Sequence, residues 1–452
     1  MIKDLKFKEK IYSPRFFKLR KDLVRGKIIS PRLRKLKEVL ERAENKKKII
    51  DDFWKAIEEN GTPIIEAIER VPHHKLVTFF YKESSNTDKI LLACDGLVGI
   101  PRRWKFTRLQ GTDIYYKSLF YLNKTRINYA IHKASISLED IPNFPPKDNL
   151  RPLKGDPLNK QNFTLLPDFT LAPLELPDAP LQPWIEKKDN TPEGKLEALR
   201  LKSSKFKDNF FIKIYLPPNY NPSAEPYGSL FLFDGYFYSN PNRIPTPTIL
   251  DNLIFSKKIP PIIAVFICNQ TVTRNRELNT NPDFVYFIAE ELLPHLKEKF
   301  NLSNNPEKTI VGGLSLGGLT SSYIGLKYPE KFGKILSQSA PYWVPETDDS
   351  RRGFPTKFLK IDPHFQNWQH IIGEYVKSEK LPLDFYIEVG VYEGRETICG
   401  GPSFFFSNRH FRDVLLSKGY TVKYVEFIGG HDFICWRGTL ADGLIYLIGN
   451  HL

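Results

Sequence analysis

The sequence predicts an N-terminal β-sandwich followed by a mainly parallel β-sheet with helices on both faces. From about residue 205, short β-branched or apolar runs such as Ile262–Ile267 alternate with helical stretches such as residues 284–300. This alternation is typical of a parallel sheet whose crossovers are helices. Residues 75–140 instead hold four strand-like runs separated by turn signals, which is typical of a sandwich.

The expected domain boundaries follow from these patterns and from the prolines. The four N-terminal strands are predicted at residues 76–81, 89–94, 113–120 and 125–132. Residues 141–195 are dense in proline, which favours extended backbone and predicts an interdomain linker. We therefore expect a basic extension and helix at 1–60, the sandwich at 61–140, a proline-rich linker at 141–200 and the sheet-containing domain at 201–452.

Residues 313–317 (GLSLG) lie between a predicted strand at 308–312 and a predicted helix at 319–328. A serine on a sharp strand-to-helix turn projects its hydroxyl from the top of a parallel sheet, and the next amide faces an oxyanion formed there. The flanking glycines allow the strained backbone of such a turn. This context predicts that Ser315 is a nucleophile and that residues 201–452 form an α/β-hydrolase catalytic domain.

A nucleophilic serine needs a base and a carboxylate that orients the base, in the chain order Ser, acid, His for this fold. His431 is the leading base because it follows the predicted last strand, 421–428, and a Gly-Gly turn. His451 also follows that strand, but it is the penultimate residue. The other histidines after Ser315 are interpreted as surface or packing residues: His364, His370 and His410.

Two carboxylates could serve as the acid. Glu388 alternates within the predicted strand 383–390, where it could be buried and paired, whereas Glu393 stands just past the end of that strand. A side chain in the exit loop can turn toward His431, so Glu393 is favoured over Glu388.

Several segments carry more specific patterns than the serine turn alone. The most specific is 429–438 (GGHDFICWRG), and the others include 313–319 (GLSLGGL), 336–343 (LSQSAPYW), 233–235 (FDG), 274–278 (RNREL) and 156–159 (DPLN). Together these segments resemble the enterochelin (ferric enterobactin) esterases. The resemblance covers roughly residues 50–450. It departs from the family pattern at 399–406 (CGGPSFFF), which looks like an insertion between acid and base.

The resemblance implies hydrolysis of the ester bonds of a tri-catecholate siderophore trilactone, which releases iron inside the cell. Carried over by position, the triad is Ser315, Glu393 and His431, and the oxyanion hole is formed by the backbone amides of Leu316 and Tyr236. The substrate-binding arginine would be Arg274, with Arg276 nearby. A guanidinium suits an anionic catecholate because charge-assisted hydrogen bonds are strong.

Composition limits the remaining possibilities. The 452 residues contain no apolar run long enough to span a membrane and no N-terminal signal peptide, so we expect a cytoplasmic enzyme. The four cysteines lack metal-type spacing and are expected to be reduced thiols, and the histidines lack ligand spacing, so neither a metal nor another cofactor is expected. The only expected partner is the siderophore, with or without iron, and the sequence does not predict the oligomeric state.

The positive charge is concentrated at the N-terminus. Residues 1–50 contain 18 Lys+Arg and 6 Asp+Glu, so they carry +12 of the net charge of +14. A predicted helix from Ser30-Pro31 to Asn60-Gly61 holds part of this excess. Contact with nucleic acid or anionic lipid is one interpretation, but a solvated extension is favoured, and no nucleic-acid partner is expected.

Two other functions fit the same sequence. One is a general carboxylic-ester hydrolase or acyltransferase acting on another acyl ester, because a fold does not fix a substrate. The other is a non-catalytic binding module with a relict hydrolase domain, which the presence of Ser315, Glu393 and His431 makes less favourable.

Overall fold

The computed structural model describes residues 14–87, 89–94, 102–133, 153–166, 169–206, 209–270, 272–345, 369–394 and 403–449. The chain divides into two compact units, Met1–Pro180 and Leu181–Leu452. The domain boundaries expected from the sequence stay predictions.

In its described residues, the N-terminal unit contains three helices and two sheets, in which most strand pairs are antiparallel. One sheet has the strand order β1-β2-β6-β5, and the other has the order β4-β3-β7-β10-β8, with β9 paired to β10. The helices are Pro14–Val24, Pro31–Arg42 and Lys46–Asn60, and the strands are β1 Ile64–Ala67, β2 His74–Lys82, β3 Ile90–Cys94, β4 Arg102–Lys105, β5 Thr107–Arg108, β6 Ile114–Leu122, β7 Arg126–Lys133, β8 Leu153–Lys154, β9 Phe163–Leu166 and β10 Phe169–Glu175.

Both faces of the first sheet of this unit are covered. Successive side chains of a strand point to opposite faces, so two neighbouring residues of β2 show what covers each face. Phe80 of β2 packs against Phe53 of the third helix, with ring centroids 5.3 Å apart. Phe79 of the same strand meets Tyr129 of β7, in the second sheet, at 4.8 Å. The unit is therefore layered as helices, sheet and sheet.

Two N-terminal expectations need correction. The predicted single helix from residue 31 to 60 is two helices, because Ala43 has an extended conformation and Asn45 caps the second helix at the Lys48 amide. These helices are not a solvated extension, since Leu33, Trp54 and Ile57 are buried with the first sheet. Residues 1–13 lie outside the described residues.

The predicted linker also differs where it is described. Residues 169–175 form β10, which pairs with β7 through Ala172, Pro173 and Leu174. Its pairing with β9 ends at Leu171, so Pro173 lies where its missing N–H interrupts no hydrogen bond to that strand. Residues 195–202 form the first strand of the C-terminal sheet. Residues 141–152 lie outside the described residues.

The C-terminal unit is built on one eight-stranded sheet with the order β11-β12-β14-β13-β15-β16-β17-β18. Strands β11, β12 and β14 pair antiparallel, and the pairs from β14 through β18 are parallel. The strands are β11 Lys195–Lys202, β12 Asn209–Leu216, β13 Gly228–Leu232, β14 Ile262–Ile267, β15 Thr309–Leu314, β16 Lys334–Gln338, β17 Asp384–Gly390 and β18 Thr421–Phe427.

Helices cover both faces of this sheet. Phe284, Leu319, Tyr375 and Phe411 lie in one apolar core with Ile335 of β16 on one face. On the other face, Gly443 of the last helix lies against Leu336 and Tyr386. The helices are Gly235–Tyr238, Thr246–Phe255, Arg274–Leu278, Pro282–Tyr286, Leu293–Lys299, Leu316–Lys327, His370–Lys377, Phe404–Ser417 and Phe433–Ile448, with a π-helix Phe287–Leu292 and 3-10 turns Pro306–Lys308 and Val391–Glu393.

The helix expected at residues 284–300 is interrupted by the π-helical segment. Pro294 follows that segment and has no N–H to donate to a carbonyl four residues earlier. The parallel strands place their carboxyl ends at one edge of the sheet, which we call the carboxyl edge. Residues following β13, β15, β16, β17 and β18 therefore meet there.

Candidate active site

Ser315 lies between β15 and the helix that begins at Leu316, and it has a strained backbone, with φ 54° and ψ −123°. A positive φ is uncommon for a residue with a Cβ and is typical of a nucleophile turn. The Ser315 amide donates to the carbonyl of Gln338 at 2.8 Å. A Cβ at Gly313 would lie 2.8 Å from the carbonyl carbon of Gly317, so this turn requires glycine at position 313.

Glu393 and His431 form a buried pair at the same edge. Glu393 ends the 3-10 turn after β17, and its Oε2 lies 2.6 Å from Nδ1 of His431, which follows β18. The two residues are 6% and 5% exposed, respectively. A carboxylate at Nδ1 keeps the proton on that nitrogen and leaves Nε2 as an acceptor, which is the tautomer that a general base needs.

The other oxygen of Glu393 is also held. Its Oε1 accepts from the Gly390 amide at 2.7 Å and from the Ser339 hydroxyl at 2.7 Å. The indole N–H of Trp436 donates to Ser339 Oγ at 3.1 Å. These donors fix the carboxylate so that Oε2 faces the imidazole.

Glu388, the alternative acid, points elsewhere. Its carboxyl group interacts with Gln338 Nε2 at 2.8 Å, the Thr439 hydroxyl at 2.5 Å and the Tyr386 hydroxyl at 3.1 Å. Complete burial raises the pKa of Glu388 to about 8, against the lowering effect of these donors. Glu393, rather than Glu388, therefore contacts His431.

Ser315 and His431 lie at the same edge, but no hydrogen bond joins the hydroxyl to the imidazole among the described residues. Catalytic hydrogen bonds are often long in enzymes without substrate and shorten when it binds. The imidazole is enclosed by Phe404, with centroids 4.4 Å apart, and by Trp436 at 4.7 Å. Phe404 belongs to the segment that looked like an insertion, of which residues 399–402 lie outside the described residues.

The two amides expected to bind an oxyanion lie in adjacent turns. Leu316 is the first residue of its helix and Tyr236 the second of the helix Gly235–Tyr238. Amides of a first helical turn have no acceptor within their own helix. A Cβ on Gly317 would lie 3.2 Å from Phe233 Cβ, which shows how closely the two turns approach.

Arg274 is engaged within the protein. Its Nε and Nη2 donate to the two oxygens of Asp234 at 2.6 and 2.7 Å, and Asp234 is 2% exposed. Burial alone would lower the pKa of the Arg274 guanidinium, but the Asp234 carboxylate raises it and the net shift is upward. Arg274 therefore holds the turn that precedes Tyr236. The guanidinium of Arg276 lies over the Phe206 ring at 5.4 Å.

Four residues of the site were given no role from the sequence: Gln338, Ser339, Trp436 and Asp234. Polar residues directly after a buried strand were the available signal, since loops at strand ends carry function.

No group of three or more His, Cys, Asp or Glu side chains in the described part of the chain could hold a metal ion. Cys94, Cys268 and Cys435 are buried thiols, whereas Cys399 lies outside the described residues. Within the same ranges, no helix is long and apolar enough to cross a membrane.

Comparisons with known proteins give a consistent result. The Esterase family model matches residues 203–447. Over 351 residues the chain is 30% identical to the iron(III) enterobactin esterase of Escherichia coli O6:H1 (strain CFT073), covering 75% of this chain and 80% of the relative. It is 25% identical over 419 residues to the iron(III) salmochelin esterase of the same strain, covering 88% of this chain and 94% of the relative.

Solved structures that are similar to this chain also include enterobactin esterases. The enterobactin esterase of Shigella flexneri, determined in the presence of enterobactin, matches with a TM-score of 0.66 at 26% identity and covers 88% of this chain and 97% of that chain. The ferric enterobactin esterase of Salmonella typhimurium shares the fold, with a TM-score of 0.69 at 24% identity and coverage of 88% and 98%. Ser315, Glu393 and His431 lie within the range that the family model matches. The chain belongs to the esterase family that contains the iron(III) enterobactin esterases.

Proposed function

We propose that this protein hydrolyses the ester bonds of a catecholate siderophore trilactone, with Ser315 as nucleophile, His431 as general base and Glu393 as the carboxylate that orients the imidazole. The observation that carries the proposal is the buried Glu393–His431 contact of 2.6 Å at the edge of the sheet where Ser315 lies between β15 and the helix that follows. We further propose an α/β-hydrolase fold for residues 201–452.

In the acylation step, the Ser315 hydroxyl attacks a lactone carbonyl while Nε2 of His431 accepts its proton. Glu393 stabilises the imidazolium that forms, since its Oε2 already faces Nδ1. The carbonyl oxygen becomes an oxyanion, for which the amides of Leu316 and Tyr236 are the proposed donors. The tetrahedral intermediate then collapses and the bond between its carbon and the lactone ring oxygen breaks. His431 gives its proton to that departing oxygen, which becomes a hydroxyl of the substrate, and the ring opens.

Deacylation repeats the same chemistry with water. His431 takes a proton from a water molecule, which attacks the acyl-Ser315 carbonyl, and returns the proton to Ser315 as the ester bond breaks. Each turnover therefore cleaves one ester bond and consumes one water, and a trilactone would need three turnovers for complete hydrolysis.

Relatives named as esterases of iron(III) enterobactin and iron(III) salmochelin support the substrate class. A structure determined in the presence of 2,3-dihydroxy-N-benzoyl-serine supports the same class of product. For an anionic catecholate, Arg274 can offer Nη1, the guanidinium nitrogen that Asp234 does not bind. Substrate binding by Arg276 stays a prediction, as does a cytoplasmic location.

The test is product analysis after incubation with iron-loaded and iron-free enterobactin, comparing wild type, Ser315→Ala and Ser303→Ala. Ser303 is a matched control because it is buried to the same extent, 8% exposed, and its hydroxyl oxygen accepts from the Asn305 amide away from the carboxyl edge. We expect dihydroxybenzoyl-serine from wild type and Ser303→Ala and none from Ser315→Ala.

Release of dihydroxybenzoyl-serine by Ser315→Ala at the wild-type rate would contradict the proposed nucleophile. Wild-type protein that cleaves a simple aryl ester but leaves the trilactone intact would indicate a different ester substrate on the same site.

A further inference from the structure

Gln338, the last residue of β16, is completely buried beneath the proposed catalytic residues. Its backbone carbonyl accepts from the Ser315 amide at 2.8 Å, which ties β16 to the nucleophile turn. The strand itself pairs with β15 on one side and β17 on the other. Gln338 thus lies between the strand that precedes Ser315 and the strand that precedes Glu393.

The side-chain amide of Gln338 joins three further elements. Its Oε1 accepts from the Tyr238 hydroxyl at 2.5 Å, and its Nε2 lies 2.8 Å from Glu388 Oε1. The same nitrogen is 3.1 Å from the Trp436 carbonyl and 3.1 Å from Thr439 Oγ1. The amide oxygen and nitrogen are therefore both satisfied, and only one orientation of the amide fits these partners.

Each partner belongs to an element that carries part of the proposed site. Tyr238 ends the short helix that contains Tyr236, whose amide is a proposed oxyanion donor. Trp436 and Thr439 lie on the helix that begins two residues after His431. Gln338 is consequently in direct contact with the nucleophile turn, the oxyanion turn and the helix next to the base.

We propose that Gln338 is a positioning residue for ester hydrolysis, which fixes the nucleophile turn, the oxyanion turn and the helix after His431 relative to one another. The proposal rests on the proposed function, because it has meaning only if Ser315 and His431 react with an ester. A displacement of about 1 Å between reacting groups can cost about 10²-fold in rate. A network of satisfied buried hydrogen bonds is suited to prevent such displacement.

A packing role and a positioning role predict different results for Gln338→Met. Methionine has a similar length and fills the volume, but it offers neither the donor nor the acceptor of the amide. A packing role would reduce the amount of folded protein or its melting temperature only. A positioning role would also reduce the rate at each correctly folded site.

The experiment measures steady-state kinetics on a small neutral aryl ester, with the number of reactive serines counted from the burst of p-nitrophenol released by an aryl phosphonate. For Gln338→Met we expect kcat per reactive serine to fall about 10- to 100-fold, with KM within about twofold of wild type. The matched control is Asn252→Leu. Asn252 is another buried amide, which donates to the carbonyls of Trp184 and Glu186 at 2.9 and 2.7 Å. We expect this control to lower stability while kcat per reactive serine stays unchanged.

Two further variants cover failure of Gln338→Met to fold. Tyr238→Phe removes one hydroxyl and should lower kcat per reactive serine about 3- to 10-fold, since one hydrogen bond to Gln338 is lost. Gln338→Glu places two carboxyl groups together, and the exchanged pair Gln338→Glu with Glu388→Gln restores an amide–carboxyl contact. The exchanged pair should have a kcat at least about tenfold higher than that of Gln338→Glu alone.

Unchanged kcat per reactive serine in Gln338→Met or Tyr238→Phe would overturn the proposal, as would an exchanged pair no more active than Gln338→Glu. Either result alongside an inactive Ser315→Ala leaves the proposed function intact. Wild-type protein without a phosphonate burst would instead count against the proposed function.

Discussion

Replacing Glu393 with glutamine should inactivate the enzyme without displacing the side chain. In Glu393→Gln the amide oxygen can still accept from the Gly390 amide and the Ser339 hydroxyl, which lie 2.7 Å from Oε1 of the native residue. The amide NH₂ then faces Nδ1 of His431, which must become an acceptor. The imidazole proton moves to Nε2, and that nitrogen can no longer take the proton of Ser315.

The expected loss is large because the tautomer is wrong in nearly every molecule. A comparable change in a serine-protease triad lowers kcat about 10⁴-fold, equivalent to about 5 kcal/mol of transition-state stabilisation. We expect Glu393→Gln to lower kcat on an aryl ester by about this factor, with KM within about threefold of wild type.

The assay is steady-state hydrolysis at neutral pH, with circular dichroism melting to confirm that the variant is folded. Asp251→Asn is the matched control, because Asp251 is a buried carboxylate that also accepts from a backbone amide, Gly194 at 2.8 Å, and from a hydroxyl, Tyr215 at 2.6 Å. This control should retain kcat. Glu393→Gln activity within tenfold of wild type would refute the assigned role of Glu393.

Three further predictions follow from the contacts around the site. Arg274→Met leaves Asp234 as a buried unpaired carboxylate, so urea unfolding should show a loss of about 3–5 kcal/mol. Its kcat on a neutral ester should fall as well, whereas a loss restricted to the siderophore would mean that Arg274 only binds substrate. Ser339→Ala removes one of the two donors to Oε1 of Glu393 and should lower kcat about tenfold in steady-state assays, and an unchanged kcat would contradict this role. Because burial raises the pKa of Glu388 to about 8, the folded protein retains a proton between pH 4.5 and 8 that the unfolded chain, with its ordinary pKa near 4.5, releases. The free energy of unfolding relative to Glu388→Gln should therefore fall as pH rises through this range and level off above it, and parallel pH profiles would argue against the shift.

The regular elements of the C-terminal unit were predictable from local sequence. Strand β14 has the expected bounds, Ile262–Ile267, because a wholly apolar run between turn signals has few alternatives to a buried strand. The strand before Ser315 was predicted from a β-branched run and the helix after it from helical spacing, although the helix begins three residues earlier than expected, at Leu316.

Elements stabilised by distant partners were not predictable. Strand β10 contains Pro173, and proline normally argues against a strand. Its formation depends on pairing with β7, about 40 residues earlier in the chain, which no local pattern reports. The strands of the first sheet were predicted, but the packing of the apolar residues of the N-terminal helices against that sheet was not.

The same limit applies to the site. The order of serine, acid and histidine along the chain narrowed the acid to Glu388 or Glu393. The choice depends on side-chain direction, since Glu388 turns toward Gln338 and Glu393 toward His431. The pairing of Arg274 with Asp234 is likewise a tertiary contact across 40 residues, invisible in the motif that suggested a substrate-binding arginine.

The proposed mechanism requires that Ser315 is acylated during turnover. Protein mixed with excess aryl ester, quenched in acid within the first turnovers and digested should give a peptide containing Ser315 that carries the mass of the acyl group. Glu393→Gln should show little acylation on the same timescale, because its imidazole cannot accept the serine proton. An acyl group on another residue, or turnover without any acylated peptide, would contradict the assignment of Ser315 as the nucleophile.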